Sequence, residues 1–307
     1  MRRGAKFAVA TVALLALVAA STGQLLGGGV LHPGRLKLSA ALVARADQVF
    51  QRLGATREDF AVRAPDGVLL RGWKIRPQEP NGDWVMVFHG VSDNRVGMLG
   101  HAEFLLRAGY SVLMMDARAH GASEGAMTTY GWKERYDTRA IVDALYAREK
   151  VDHLFALGES MGAAIALQAA AIEPRIAGVV AESSFSDLHE VSYDYAGLHI
   201  SPWLGKTIFR PAAFIGLSNV ERDGGFKATD VSPMKAVAAR PFPILLICGT
   251  RDHTIPCHHS KRILEAAPGP KQLWVVPGAG HVAALSKSPA EFERRVLAFY
   301  GHLHAAK

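Results

Sequence analysis

Several things are scarce in this chain of 307 residues. It has two cysteines, Cys248 and Cys257, too few for a disulfide framework or a cysteine-built zinc site. Cys248 belongs to an apolar run, where a thiol acts as a small hydrophobe. Cys257 falls in the loop or helix start beyond, and in an exported protein the two could pair across Asp252. Aromatic residues make up only 8% of the chain and are not interleaved with basic runs, so the formal net charge of +7 does not point to nucleic acid. No internal repeat and no low-complexity tract is visible, which excludes solenoids and arrays. Among 13 histidines, the adjacent His258-His259 pair has no further ligands at loop or helical spacing. With His120 these read as loop or surface residues, and no metal or organic cofactor is expected.

What is present is an alternation. Asp59 to Ala64 and Val68 to Ile75, split by Pro65-Asp66-Gly67, read as an opening β-hairpin. Apolar runs then recur at Trp84 to Phe88, Tyr110 to Met115, His153 to Leu157, Ile176 to Ala181, Pro243 to Cys248 and Gln272 to Val276. Such runs mark strands buried on both faces. Helix-length stretches lie between them, among them Met98 to Arg107, Trp132 to Arg148 and Met161 to Ile172. The pattern predicts an α/β fold whose parallel sheet is covered on both sides and whose site lies at the strands' carboxyl ends.

One serine sits where chemistry would need it. Gly158-Glu159-Ser160-Met161-Gly162 joins an apolar run to an alanine-rich stretch. A serine hydroxyl attacks only if it is exposed, aimed and relieved of its proton, and a sharp strand-to-helix corner achieves the first two. The plainer reading of Ser160 is a helix N-cap. Gly121-Ala122-Ser123-Glu124-Gly125 has the same spacing, but polar Asp116 to His120 precedes it and Met127 to Gly131 follows, so Ser123 has neither strand nor helix at its sides.

The acid and the base should follow in that order. Pro243 to Cys248 empties into Gly249-Thr250-Arg251-Asp252, and Gln272 to Val276 ends in Pro277-Gly278-Ala279-Gly280-His281. Each glycine loop delivers one titratable side chain just past a strand. Asp252 could instead cap a helix beginning near Pro256, and Asp187 is the rival acid.

With these residues in view, the chain resembles the α/β-hydrolases over roughly residues 58–303. More narrowly, it is similar to small, often membrane-anchored serine hydrolases distantly related to prolyl oligopeptidases. The resemblance rests on Val87-Phe88-His89-Gly90, on Asp116 with His120-Gly121 and Ser123, on the corner at Ser160, on Gly249 to Asp252 and on Gly280-His281. It implies a structural role for the loop that holds Ser123. It also implies an oxyanion hole from the backbone N–H groups of Met161 and Val91, although Val91-Ser92-Asp93-Asn94 departs from the glycine-rich lipase pattern. The chemistry implied is acyl transfer through Ser160, with His281 as base and Asp252 orienting the imidazole. Carboxylic esters or thioesters of small or lipid-like acyl groups are the expected substrates. A peptidase of the same fold and a non-catalytic tethered binding protein are the alternatives.

The remaining segments set the organisation. Arg2, Arg3 and Lys6 precede an uncharged stretch from Phe7 to Leu31, read as a signal peptide or membrane anchor over residues 1–31. Either places the catalytic domain outside the cytoplasm, and the resemblance favours an uncleaved anchor. Residues 32–57 read as a linker that could form an amphipathic helix at the membrane surface. Residues 58–307 form the hydrolase domain, with a cap inserted at 185–230. The cap's Tyr193, Tyr195, Trp203, Phe209, Phe214 and Phe226 either line an acyl pocket or pack the insert onto the body.

Overall fold

The computed structural model describes residues 28–196, 203–204, 207 and 209–305. Strands β1 (Thr56–Arg63) and β2 (Leu69–Arg76) form the hairpin, and β2 lies antiparallel to β4 (Ser111–Met115). Beyond it β3 (Trp84–Phe88), β5 (Leu154–Glu159), β6 (Ile176–Glu182), β7 (Ile244–Gly249) and β8 (Lys271–Val276) run parallel. The order across the eight-stranded sheet is β1-β2-β4-β3-β5-β6-β7-β8.

The strand sequences explain their places. β4 and β7 are buried at every position, as strands covered on both faces must be. β8 exposes Lys271, Gln272 and Val275, and it closes an edge, where charged and polar side chains discourage further pairing.

Helices cover both faces. On one, α1 (Ala40–Arg52), α2 (Leu99–Arg107) and α10 (Pro289–Ala305) pack around Phe50, Trp73, Phe104, Phe155, Phe292 and Tyr300. On the other, α3 (Glu134–Tyr146), α4 (Met161–Ile172), α7 (Pro233–Ala239) and α8 (His258–Ala266) pack around Phe60, Trp84, Leu113, Leu167 and Ile263. Every residue of α4 from Met161 to Ala170 is buried, which is why its sequence has no polar face. A short helix, α9 (Ala284–Lys287), follows the loop of His281.

Above the carboxyl ends lie α5 (Leu188–Ala196) and α6 (Arg210–Gly224), the described parts of the expected cap. They share an apolar cluster with Leu31, Phe185 and Phe226. Of the cap aromatics, Phe226 is buried in that cluster, whereas Tyr195, Trp203 and Phe214 are 55%, 64% and 60% exposed.

The segment read as a linker is also corrected. Ser39 caps α1, and Ala46 and Phe50 sit on the body with Phe50 edge-on to Trp73 at 6.4 Å. The apolar face meant for a membrane surface is thus used by the protein itself. Arg35 donates to the carbonyls of His120, Gly121 and Ser123. Leu31, at the end of the expected signal or anchor, is 1% exposed. Residues 1–27, the bulk of that segment, lie outside the described residues, and no described helix is long and apolar enough to cross a membrane. Cys248 and Cys257 are joined across the Asp252 loop, their Cα atoms 5.4 Å apart.

Candidate active site

Ser160 stands at the junction of β5 and α4 with φ 53° and ψ −117°, a conformation that L-residues rarely hold. The two flanking glycines make it possible. A Cβ on Gly158 would lie 2.5 Å from the Gly162 backbone, and one on Gly162 would lie 2.2 Å from the Phe88 carbonyl oxygen. The corner therefore presses helix against strand too closely for any side chain at either position. Ser160 is left half-buried, with its N–H donated to the Glu182 carbonyl. Its side chain makes no N-cap hydrogen bond to α4, so the plainer reading does not describe it.

The hydroxyl faces His281. Ser160 Oγ is 2.9 Å from His281 Nε2, and His281 Nδ1 is 2.9 Å from Asp252 Oδ2. With Nδ1 protonated, the ring donates to Asp252 and accepts from the serine. Asp252 Oδ2 meets the imidazole while Oδ1 accepts the Thr254 and Ile255 N–H groups of its own loop at 3.0 and 2.8 Å. Helix α8 begins only at His258 and has no side-chain cap, so the helix-cap reading does not describe Asp252. Burial works to raise the Asp252 pKa, but the hydrogen bond and charge of His281, with help from Ile255 and Ser183, hold it below the usual carboxylate range. The carboxylate is thereby kept ionised beside the ring.

The two loops are bound to each other, which fixes this geometry. Arg251 N–H donates to Ala279 O at 2.8 Å, and Gly278 N–H donates to Thr250 Oγ1 at 2.8 Å. A Cβ on Gly249 would meet the Ala279 carbonyl at 2.3 Å, so this glycine too is required by close approach.

The candidate oxyanion donors sit on either side of the serine. Met161 opens α4, and the N–H groups of a helix's first turn have no partner within the helix. Gly90, just before Val91, would carry its Cβ 3.8 Å from Ser160 Cβ, so this loop passes directly beside the nucleophile. The loop is held from below. Asp116 accepts from the Arg95 backbone and guanidinium at 2.8 and 2.6 Å, and Ser92 N–H donates to His120 Nε2 at 3.2 Å. His89 links the same two loops, its Nε2 accepting the Ala117 N–H at 3.0 Å. His120 lies in the loop after β4, as expected, but is fully buried rather than at the surface: its ring is a bracket between loops.

Other candidates fall elsewhere. Ser123 is fully buried, donating to Asp116 O at 2.8 Å and accepting Arg71 N–H at 2.9 Å, a structural tie between β2 and the loop after β4. Asp187 accepts the His189 and Glu190 N–H groups at 2.9 and 3.3 Å and so caps α5.

Two groups went unnoticed in the sequence. Ser183, at φ 53° just after β6, accepts the Val282 N–H at 3.4 Å and supports Asp252. Glu182 Oε1 accepts the Ala284 N–H at 2.8 Å, holding the far side of the His281 loop. A buried Glu-Ser pair ending an apolar strand was the available signal.

Such a chain of hydrogen bonds is able to move the Ser160 proton to His281 while Asp252 stabilises the resulting imidazolium. Comparison with known proteins agrees with a hydrolase. The profile of the family described as serine aminopeptidase, S33, matches residues 79–219. The uncharacterized Bacillus subtilis protein YqkD is 27% identical over 253 residues, covering 80% of this chain and 79% of its own. The uncharacterized Mycobacterium tuberculosis protein Rv2307c is 31% identical over 226 residues, covering 73% of this chain and 72% of its own. The solved Pyrococcus furiosus esterase Pf2001 aligns with a TM-score of 0.70 and 26% identity, covering 89% of this chain and 99% of that one. By strand order, serine corner and kinship with Rv2307c, the chain belongs to the α/β-hydrolase family.

Proposed function

We propose that the protein is a serine hydrolase that cleaves carboxylic esters or thioesters through an acyl-enzyme on Ser160. One observation carries the reading: Ser160 Oγ, the His281 ring and Asp252 Oδ2 form a continuous chain with both contacts at 2.9 Å. His281 removes the serine proton as Ser160 attacks the acyl carbon, then returns it to the leaving group. Water enters by the reverse route and releases the acid. The N–H groups of Met161 and Val91 would bind the oxyanion, a donor of this kind being worth about 10²- to 10³-fold in rate. The likeness to an esterase over nearly the whole chain supports ester chemistry.

A peptidase reading is favoured by the description of the matching family as serine aminopeptidases. The deciding experiment sets p-nitrophenyl esters of graded acyl length against aminoacyl p-nitroanilides, with the Ser160→Ala variant alongside. The reading expects esters to turn over and anilides not, and the variant to lose on the order of 10⁴-fold or more. Preferential cleavage of anilides makes it a peptidase.

The location of the enzyme is part of the proposal. Arg2, Arg3 and Lys6 ahead of an uncharged stretch support an exported domain, tethered or released. Because Leu31 packs in the body, the proposed tether or signal would end before it.

A further inference from the structure

We propose that Asp194, His258 and His259 form a site for a divalent transition-metal ion of the zinc class, which fastens the cap helix α5 to α8. No third ligand for the histidine pair stands near it in the sequence, because Asp194 comes from the cap, far away along the chain. In space Asp194 Oδ2 is 3.1 Å from His258 Nε2 and 3.2 Å from His259 Nε2. Ligand atoms of all three lie within 4.8 Å of one another. A tetrahedral ion with bonds of about 2.0–2.1 Å spaces its ligands about 3.3 Å apart, so the donors stand close to the spacing of a coordination shell.

His259 supplies the second observation. It was expected as a loop or surface residue, yet it is fully buried, which corrects that reading. Among the described residues its Nε2 makes no hydrogen bond of acceptable geometry, although it is aimed at Asp194. Its other nitrogen is held as in most metal-ligating histidines. Nδ1 is 2.9 Å from Ser186 Oγ, whose hydroxyl is 3.3 Å from Glu190 Oε2. With Nδ1–H donated to that hydroxyl, the Nε2 lone pair points to the ion. The Ser186 N–H, at 3.3 Å from the same nitrogen, is the longer contact. Glu190 Oε1, 3.9 Å from His258 Nε2, stands near for a further ligand, and the 43% exposed His258 side chain gives an ion a way in. Two imidazoles and a carboxylate suit zinc-class ions over calcium or magnesium. The second His–Asp grouping, Asp83 with His153 and His304, differs: each oxygen of Asp83 already meets one ring nitrogen, at 2.8 and 3.0 Å.

The test is a Co²⁺ titration of the chelator-treated full-length protein, read by visible d–d absorption and by Zn²⁺ displacement. It is run equally on the Ser160→Ala variant, so its outcome is separate from that of the hydrolase reading. One equivalent is expected to bind in the micromolar range or tighter. Binding should weaken at least about tenfold in His258→Gln and in Asp194→Asn, and stay unchanged in His304→Gln. Zn²⁺ should raise the Tm of wild type and not of His258→Gln, whose fold is checked by circular dichroism. No saturable binding, binding that survives both ligand variants, or binding lost in His304→Gln would overturn the proposal.

Discussion

Glu182 lies directly opposite Glu159 in the parallel pairing of β5 with β6, so two carboxylates share the layer beneath Ser160. Burial pushes Glu182 up to about 7, with Asp252 adding to the push while the Ala284 N–H and His281 oppose it. Burial, Glu182 and Asp93 together push Glu159 well above the usual range. His101, 3.4 Å from Glu159, is driven down by burial to about 4. Burial thus disfavours the charged form of all three beneath the triad.

An acid held at about 7 when folded, against an ordinary 4.5, takes up protons on folding between those values. Its contribution is therefore present at low pH and lost as pH rises through that window. Glu182→Gln keeps an acceptor for Ala284 and removes the titration. Urea unfolding should find the variant gaining on wild type by about 2–3 kcal/mol between pH 5 and pH 8. Parallel pH profiles would contradict the assignment.

Ser123 ties two backbone groups and faces no base. Ser123→Ala should lose about 1–3 kcal/mol in urea unfolding, because it orphans a buried N–H. Ester hydrolysis by the folded variant should remain within about tenfold of wild type, in contrast with Ser160→Ala.

Asp252 and Asp187 are separated by function in the same way. Because His281 holds Asp252 ionised, Asp252→Asn should lower kcat by about 10³- to 10⁴-fold through the wrong imidazole tautomer. Asp187→Asn weakens a helix cap and should change kcat by less than about tenfold. Equal losses would make Asp187 the acid.

Leu31 closes the cluster beneath the cap. Leu31→Ala should cost about 2–5 kcal/mol, the usual range for emptying such a site. A chain starting at Gly28 should match the full-length Tm, whereas one starting at His32 should melt lower. An unchanged Tm in both would place Leu31 outside the folded body.

The sheet was legible because buried parallel strands are apolar throughout. Trp84–Phe88 and Met161–Ile172 match their expected bounds, and the other expected strands and helices differ by a few residues at their ends. The serine corner and both glycine loops were legible because close backbone contact admits only glycine at Gly158, Gly162 and Gly249. Contacts between distant segments were not. Nothing local in α1 says that its apolar face meets Trp73 rather than lipid, since amphipathicity reports a face and not its partner. His120 and His259 looked like surface residues for a similar reason, as their partners Ser92 and Ser186 lie far along the chain. Pairing of Cys248 with Cys257 depended on a Cα separation that spacing alone does not give.

The central claim is that the Ser160 hydroxyl is activated by His281. A fluorophosphonate probe, followed by intact-mass and peptide mass spectrometry on the folded protein, measures this directly. One adduct per chain is expected, on Ser160, absent from Ser160→Ala and strongly slowed in His281→Ala. A folded wild-type protein that takes no label, or takes it on another residue, would contradict the account.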